Sequence, residues 1–136
     1  MIEFEKITTR GGDFGETSIA DGSRRPKDDL LIDVLGEVDE LHAFLGFLKA
    51  ALMTPEEADE IDWMERSLLR LGGMIAVPPS HPSHGKLDTI NGSDIEKLEK
   101  WQKEIMGKVN LPPLFITYGG SESGARADLA RAVCRR

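Results

Sequence analysis

Between Asp29 and Leu52 the apolar residues Leu31, Val34, Leu35, Val38, Leu41, Leu45, Leu48 and Leu52 recur at intervals of three and four. That spacing makes one stripe along an α-helix and cannot make one face of a β-strand. The chain is therefore built on an amphipathic helix that other helices must cover. Gly36 and Gly46 interrupt the stripe. Each costs about 1 kcal/mol against alanine inside a helix, so close approach of a neighbouring helix is the expected reason for both.

Three more helices follow from the same logic. Thr54-Pro55-Glu56-Glu57 joins a hydroxyl N-cap, a proline in the first turn and a glutamate three residues after the cap. Ile61, Met64, Leu68, Leu71 and Ile75 then mark a buried stripe, which Pro78 and Pro79 end. Ser80 to Asn91 reads as a loop. Ser93 and Glu96 form a capping box that opens a third helix, with Ile95, Leu98, Ile105, Met106 and Val109 as its apolar residues. Asn110 to Pro113 break the chain, and Leu114 to Tyr118 form a short extended apolar piece. Gly119-Gly120-Ser121-Glu122 turns into a fourth helix, capped by Ser121 or Ser123, with Ala125, Leu129, Ala132 and Val133 predicted to face inward. The expected fold is all-α: one domain of 136 residues, an up-and-down helical bundle over 29–136 behind a polar arm over 1–28. Aromatic content of 6% suits helices better than a β-sandwich.

The arm, Thr8 to Asp28, is rich in glycine, hydroxyl and basic residues and almost free of apolar ones. It cannot pack a core, but it can wrap an anion. Glycines let backbone N–H groups turn inward, Thr9, Thr17 and Ser18 add hydroxyl donors, and Arg10, Arg24 and Lys27 add charge. No GxxxxGK[ST] segment occurs, so it is not a Walker loop. The basic residues stand out because the net charge is −7, which argues against nucleic acid or an anionic membrane as the main partner. Near the other end Arg131 and Arg135 are four apart, so their guanidinium groups leave one face of the last helix.

Other chemistries are poorly supported. Cys134 is the single cysteine, which excludes an internal disulfide and fits a reducing cytoplasm. No signal peptide or membrane-length apolar run is apparent. His81 and His84 are three apart, but no carboxylate or thiol flanks them at ligand spacing, so no metal site is expected. No Ser–His or Cys–His arrangement suggests a protein nucleophile.

Several stretches together resemble the PduO-type ATP:cob(I)alamin adenosyltransferases. Thr9-Arg-Gly-Gly-Asp-Phe-Gly-Glu-Thr-Ser-Ile19 resembles that family's T-[KR]-x-G-D-x-G-x-T-S-L, and Gly22-Ser-Arg-Arg-Pro-Lys-Asp28 is similar to its G-x-R-x-x-K-D. Gly36-Glu-Val-Asp-Glu-Leu41 matches G-T-V-D-E-L, while Gly119-Gly-Ser121 and Arg131-Ala-Val-Cys-Arg-Arg136 match P-G-G-S and R-x-V-C-R-R. The resemblance implies a ferritin-like bundle assembled as a homotrimer, with sites between subunits. It implies transfer of the 5′-deoxyadenosyl group of ATP, with Mg²⁺, to the cobalt of cob(I)alamin.

By position, the resemblance assigns Thr9, Arg10, Gly12, Asp13, Gly15, Thr17, Ser18, Arg24 and Lys27 to ATP, with Arg131 and Arg135 completing the site. It implies that Asp39 orients the Arg131 guanidinium, and that Phe115 stands against the corrinoid. Gly11, Glu16 and His42 depart from the common pattern. The family continues past R-R into A-E-R and a further helix, so a bundle lacking its last helix is expected here. The alternative reading is a non-catalytic corrinoid- or ATP-binding helical module.

Overall fold

The computed structural model describes residues 8–51 and 54–136. A small hairpin comes first: β1 (Glu16–Ser18) pairs antiparallel with β2 (Arg24–Pro26). Helices α1 (Leu30–Lys49), α2 (Pro55–Ala76), α3 (Gly92–Met106) and α4 (Glu122–Cys134) follow, with one 3₁₀ turn at His84–Lys86.

The caps explain where the helices start. The Asp29 side chain accepts from the Leu31 N–H at 2.9 Å, Thr54 Oγ1 from Glu57 at 3.3 Å, and Ser121 Oγ from Gly124 at 3.0 Å. Each satisfies an amide that the first helical turn leaves without a partner. The expected box at Ser93 and Glu96 is displaced. Asn91 caps α3, and Asp94 returns the bond by accepting from the Asn91 N–H at 2.9 Å. Asn and Asp at that spacing do the work of Ser and Glu. The first helix ends earlier than its stripe predicts, and Leu52 lies outside the described residues.

Polar contacts set the helix directions. Lys49, at the end of α1, reaches Asp62 at 2.6 Å and also Glu65, both on α2. Arg126, early in α4, donates to the Phe47 carbonyl at 2.5 Å, while Arg136 just beyond α4 reaches Glu37 at 2.5 Å. Thus α1 lies antiparallel to both α2 and α4. The α2–α3 pair is tied by Arg70 to Asp94 and by an edge-to-face stack of Trp63 on Trp101, centroids 5.2 Å apart.

The core is Leu45, Leu48, Ile61 and Ala130, with Leu41, Phe44, Met64, Leu68 and Ala127 packed against it. Burying one such large aliphatic side chain fully stabilises by about 1.5–3 kcal/mol. Two expectations need correction. On α4 the inward residues are Ala127 and Ala130, whereas Leu129 and Ala132 are exposed. Alanine occurs on two opposite faces of that helix, so spacing alone does not select one. On α3, Ile95, Leu98, Ile105 and Met106 remain exposed, as does Val109 beyond it. A cleft of about 410 Å³ opens among the four helices, lined by Leu41, Leu45, Met64, Leu98, Ala130 and Arg131 among others.

The interior glycines also divide. A side chain on Gly46 would lie 3.2 Å from the Glu65 carboxylate, as close approach requires. Gly36 has open space around it, so within the chain no neighbour explains it.

Candidate functional site

The hairpin is where the arm acquires chemistry. Its register pairs Glu16 with Pro26, Thr17 with Arg25 and Ser18 with Arg24. Alternation then sorts the side chains. Arg24 lies on the face of Glu16 and Ser18, donating to the Gly11 carbonyl at 2.6 Å and to Ser18 Oγ at 3.3 Å. Its approach to Glu16, at 3.5 Å between two exposed groups, is a weak surface pair. Arg25 points the other way and pairs with Asp29 at 3.2 Å.

The loop before β1 closes onto the hairpin through Gly11 at Arg24 and through Gly12 and Gly15 at Lys27. Thr9 Oγ1 accepts from the Gly11 N–H at 3.3 Å, and Gly15 accepts from the Lys27 N–H at 2.8 Å. The Lys27 ammonium packs over Gly12, where an added Cβ would lie 3.1 Å from Nζ. Gly15 has φ +82° and Arg10 φ 55°, both in the left-handed region, as tight turns in a loop of this kind require. Turns from Asp13 to Arg10 and from Gly15 to Gly12 complete the loop.

The structure therefore brings Thr9 and Ser18 to Arg24, and Gly12 to Lys27. Thr17 falls on the opposite face with Arg25. At the hairpin's tip Asp21 accepts from the Ser23 N–H at 2.8 Å, and the nearby Ser23 hydroxyl and then that N–H lower the pKa of its carboxyl. The Asp21-Gly22 pair, with Gly22 at φ +82°, is the turn signal that reveals this hairpin in the sequence.

Arg131 is held on α4. Its Nη2 donates to the Tyr118 hydroxyl at 3.0 Å, its Nε to Asp128 at 3.4 Å, and its guanidinium carbon lies 5.4 Å from the centre of the Tyr118 ring. The Tyr118 hydroxyl and then Asp128 favour the charged form, raising an already high pKa. The Asp39 pairing implied by the resemblance is not made within the chain. Asp39 is exposed at a cleft of about 220 Å³ between α1 and α2, beside His42 and Leu68. It has no ion pair among the described residues. Arg135 caps α4 and is exposed, also without a side-chain partner among the described residues.

Arg136 is engaged with Glu37 and Glu40, which raise its pKa further, Glu40 having the larger effect. Glu37 is two turns into α1, about 10 Å from the residue where the hairpin enters that helix. The hairpin and the arginine-bearing end of α4 thus occupy the same end of the bundle.

Phe115 is fully exposed, flanked by exposed Leu114 and Ile116, so it does not serve the core. Sequence reading missed Tyr118, Asp128 and Arg136. For Tyr118 a signal existed: it stands at the proline position of the P-G-G-S segment. Among the described residues no group of three or more His, Cys, Asp or Glu side chains could hold a metal ion, and no helix is long and apolar enough to cross a membrane.

The profile of the family described as "Cobalamin adenosyltransferase" matches residues 7–136. The chain belongs to the cobalamin adenosyltransferase family. Among its relatives, the human corrinoid adenosyltransferase MMAB is 36% identical over 96% of this chain and 54% of its own length. The cobalamin adenosyltransferase of Cupriavidus metallidurans is 33% identical, over 96% of this chain and 68% of its own. The chain thus spans little more than half of the human relative.

The fold is that of PduO-type cobalamin adenosyltransferases. A Phe→Ala variant of the Lactobacillus reuteri ATP:corrinoid enzyme, complexed with cobalamin and ATP, superposes with a TM-score of 0.87 at 26% identity, covering 96% of this chain and 72% of that one. An Arg→Lys variant of that enzyme complexed with ATP gives a TM-score of 0.83 at 26% identity, over 94% and 71%.

Proposed function

We propose that this chain transfers the 5′-deoxyadenosyl group of ATP to the Co(I) centre of a reduced corrinoid, releasing triphosphate. The observation that carries the reading is the arm's folded loop, which brings Thr9 and Ser18 to Arg24 and sets the Lys27 ammonium over Gly12, in a chain of net charge −7. That is a site for a polyanion, and the relatives' ligands make ATP its natural occupant.

Co(I) attacks C5′ with its own electron pair, the C5′–oxygen bond breaks, and those electrons leave on triphosphate. No protein nucleophile is needed. The protein's tasks are to align C5′ with cobalt and to stabilise charge growing on the phosphates. Arg24 and Lys27 act from the arm, and Arg131 and Arg135 complete the site from a neighbouring subunit of a homotrimer. Arg10, Asp13 and Gly15 shape the loop around the nucleotide, and Thr17, paired with Arg25 on the hairpin's other face, supports the strand rather than the ligand. Asp39 orients Arg131 across the subunit interface, and the exposed Phe115 supplies an apolar face to the corrinoid. Mg²⁺ enters with ATP, coordinated chiefly by phosphate oxygens and water, and no protein ligand is assigned to it. Arm and bundle work as one domain, in a reducing cytoplasm that suits the exposed Cys134 thiol.

The test is direct. Protein supplied with ATP, Mg²⁺ and chemically reduced cobalamin should bleach the Co(I) absorbance and yield adenosylcobalamin. Calorimetric binding of ATP without product would instead identify a non-catalytic nucleotide-binding module. Folded protein that binds neither ligand would reject both readings.

A further inference from the structure

We infer that Tyr118 is a positioning residue for Arg131: its hydroxyl and ring preset the guanidinium that meets the triphosphate. The inference rests on the nucleotide reading above and adds a residue to it. Three observations support it.

First, Arg131 is gripped along one edge. Tyr118 takes a hydrogen of Nη2 at 3.0 Å and Asp128 takes the Nε hydrogen at 3.4 Å. Both hydrogens of Nη1 remain without a partner among the described residues. A guanidinium has five N–H donors in a rigid fork, so holding one edge fixes the direction of the rest. Arg135 makes no such contacts, so of the two arginines only Arg131 is preset.

Second, Tyr118 is tied to the helix that carries Arg131. Gly119 follows at φ +91°, a conformation in which side chains are strained, and Ser121 then caps α4. The ring is thereby folded back over α4 by a short, defined turn. Third, a groove of about 390 Å³ lies beside the pair, lined by Tyr118, Gly119, Asp128, Leu129 and Arg131. A ligand can therefore reach the guanidinium without displacing the tyrosine.

A long side chain that is ordered before its ligand arrives loses less freedom on binding. Removing the hydroxyl should weaken ground state and transition state alike, a change in KM more than in kcat.

The experiment compares Tyr118→Phe and Tyr118→Ala with the unaltered protein, by calorimetry with ATP and with inorganic triphosphate and by steady-state kinetics. For Tyr118→Phe, the Kd for ATP should rise about three- to tenfold, with kcat within about twofold. The Kd for triphosphate should rise by the same factor, because that is the part of ATP the guanidinium faces. Tyr118→Ala, which also loses the ring, should be weaker still. Thermal unfolding of Tyr118→Phe should match the parent, since this exposed ring is not core.

Unchanged ATP affinity in Tyr118→Phe overturns the proposal. So does a loss confined to kcat, or one shown by ATP and not by triphosphate. If the unaltered protein binds neither ATP nor triphosphate, the nucleotide reading itself has failed and takes the role of Tyr118 with it. That outcome is visible before any variant is compared.

Discussion

Arg70 on α2 holds Asp94 at the start of α3 through two parallel hydrogen bonds, Nη1 to Oδ1 at 2.9 Å and Nη2 to Oδ2 at 3.0 Å. The same guanidinium reaches the Thr89 carbonyl at 2.5 Å and faces Asp88 at 3.2 Å. Asp94 also closes the α3 capping box, so one carboxylate both starts the helix and ties it to its neighbour. This matters because the apolar residues of α3 are largely exposed, leaving the polar clasp and the Trp63–Trp101 stack as its main attachments.

Acid should loosen this clasp. The Arg70 hydrogen bond, then the Asn91 N–H, hold the Asp94 carboxyl below its ordinary value of 3.8. A carboxyl lowered on folding contributes stability that is complete above the unfolded value and is lost as pH falls through the folded one. Thermal melts of the native protein should therefore decline below about pH 4. Asp21, Asp29 and Asp62 are lowered too and share that decline. Asp94→Asn should reduce Tm at pH 7 by about 5 °C and flatten the acid slope without abolishing it. Identical slopes in the two proteins would show that the clasp carries no linkage.

The two glycines of α1 should respond in opposite senses to alanine. Gly36→Ala, in open space, should stabilise the isolated chain by about 1 kcal/mol in urea titrations. Gly46→Ala must push the Glu65 carboxylate, 3.2 Å from the new methyl, away from Lys49, and should give no such gain. A loss at Gly36 would mean that another subunit covers it.

Gly12→Ala should injure the arm and spare the bundle. Its methyl would meet the Lys27 ammonium at 3.1 Å, which can swing aside, and the Glu16 carbonyl at 3.3 Å, which cannot. ATP affinity should fall about tenfold, equivalent to about 1.4 kcal/mol, with Tm unchanged. Calorimetry and a melt on the same sample decide it.

Sites shared between subunits should show complementation. Arg24→Ala and Arg135→Ala, each inactive alone, would be mixed under conditions that let subunits exchange. In a homotrimer whose sites join one chain's arm to the next chain's arginines, about one quarter of the sites regain both residues. Activity should return towards that fraction. A mixture as inactive as its parts would place both arginines in a single chain's site.

The helices, their caps at Thr54 and Ser121, and the family motifs were legible in the sequence because each depends on neighbours within a turn or two along the chain. The α3 cap was misread by two residues because Asn91 and Asp94 compete for the same role as Ser93 and Glu96. Tertiary structure alone decided the rest. Which face of α4 turns inward depends on α1 accepting Ala127 and Ala130, a choice that a helix with alanine on two opposite sides does not make for itself. Arg24 and Arg25 are adjacent in sequence, and only strand pairing sends one to the arm's cationic face and the other to Asp29. The partners of Arg70, Arg131 and Arg136 lie across turns or on other helices. Local spacing sets which residues can form a helix, but where a guanidinium points depends on how those helices pack.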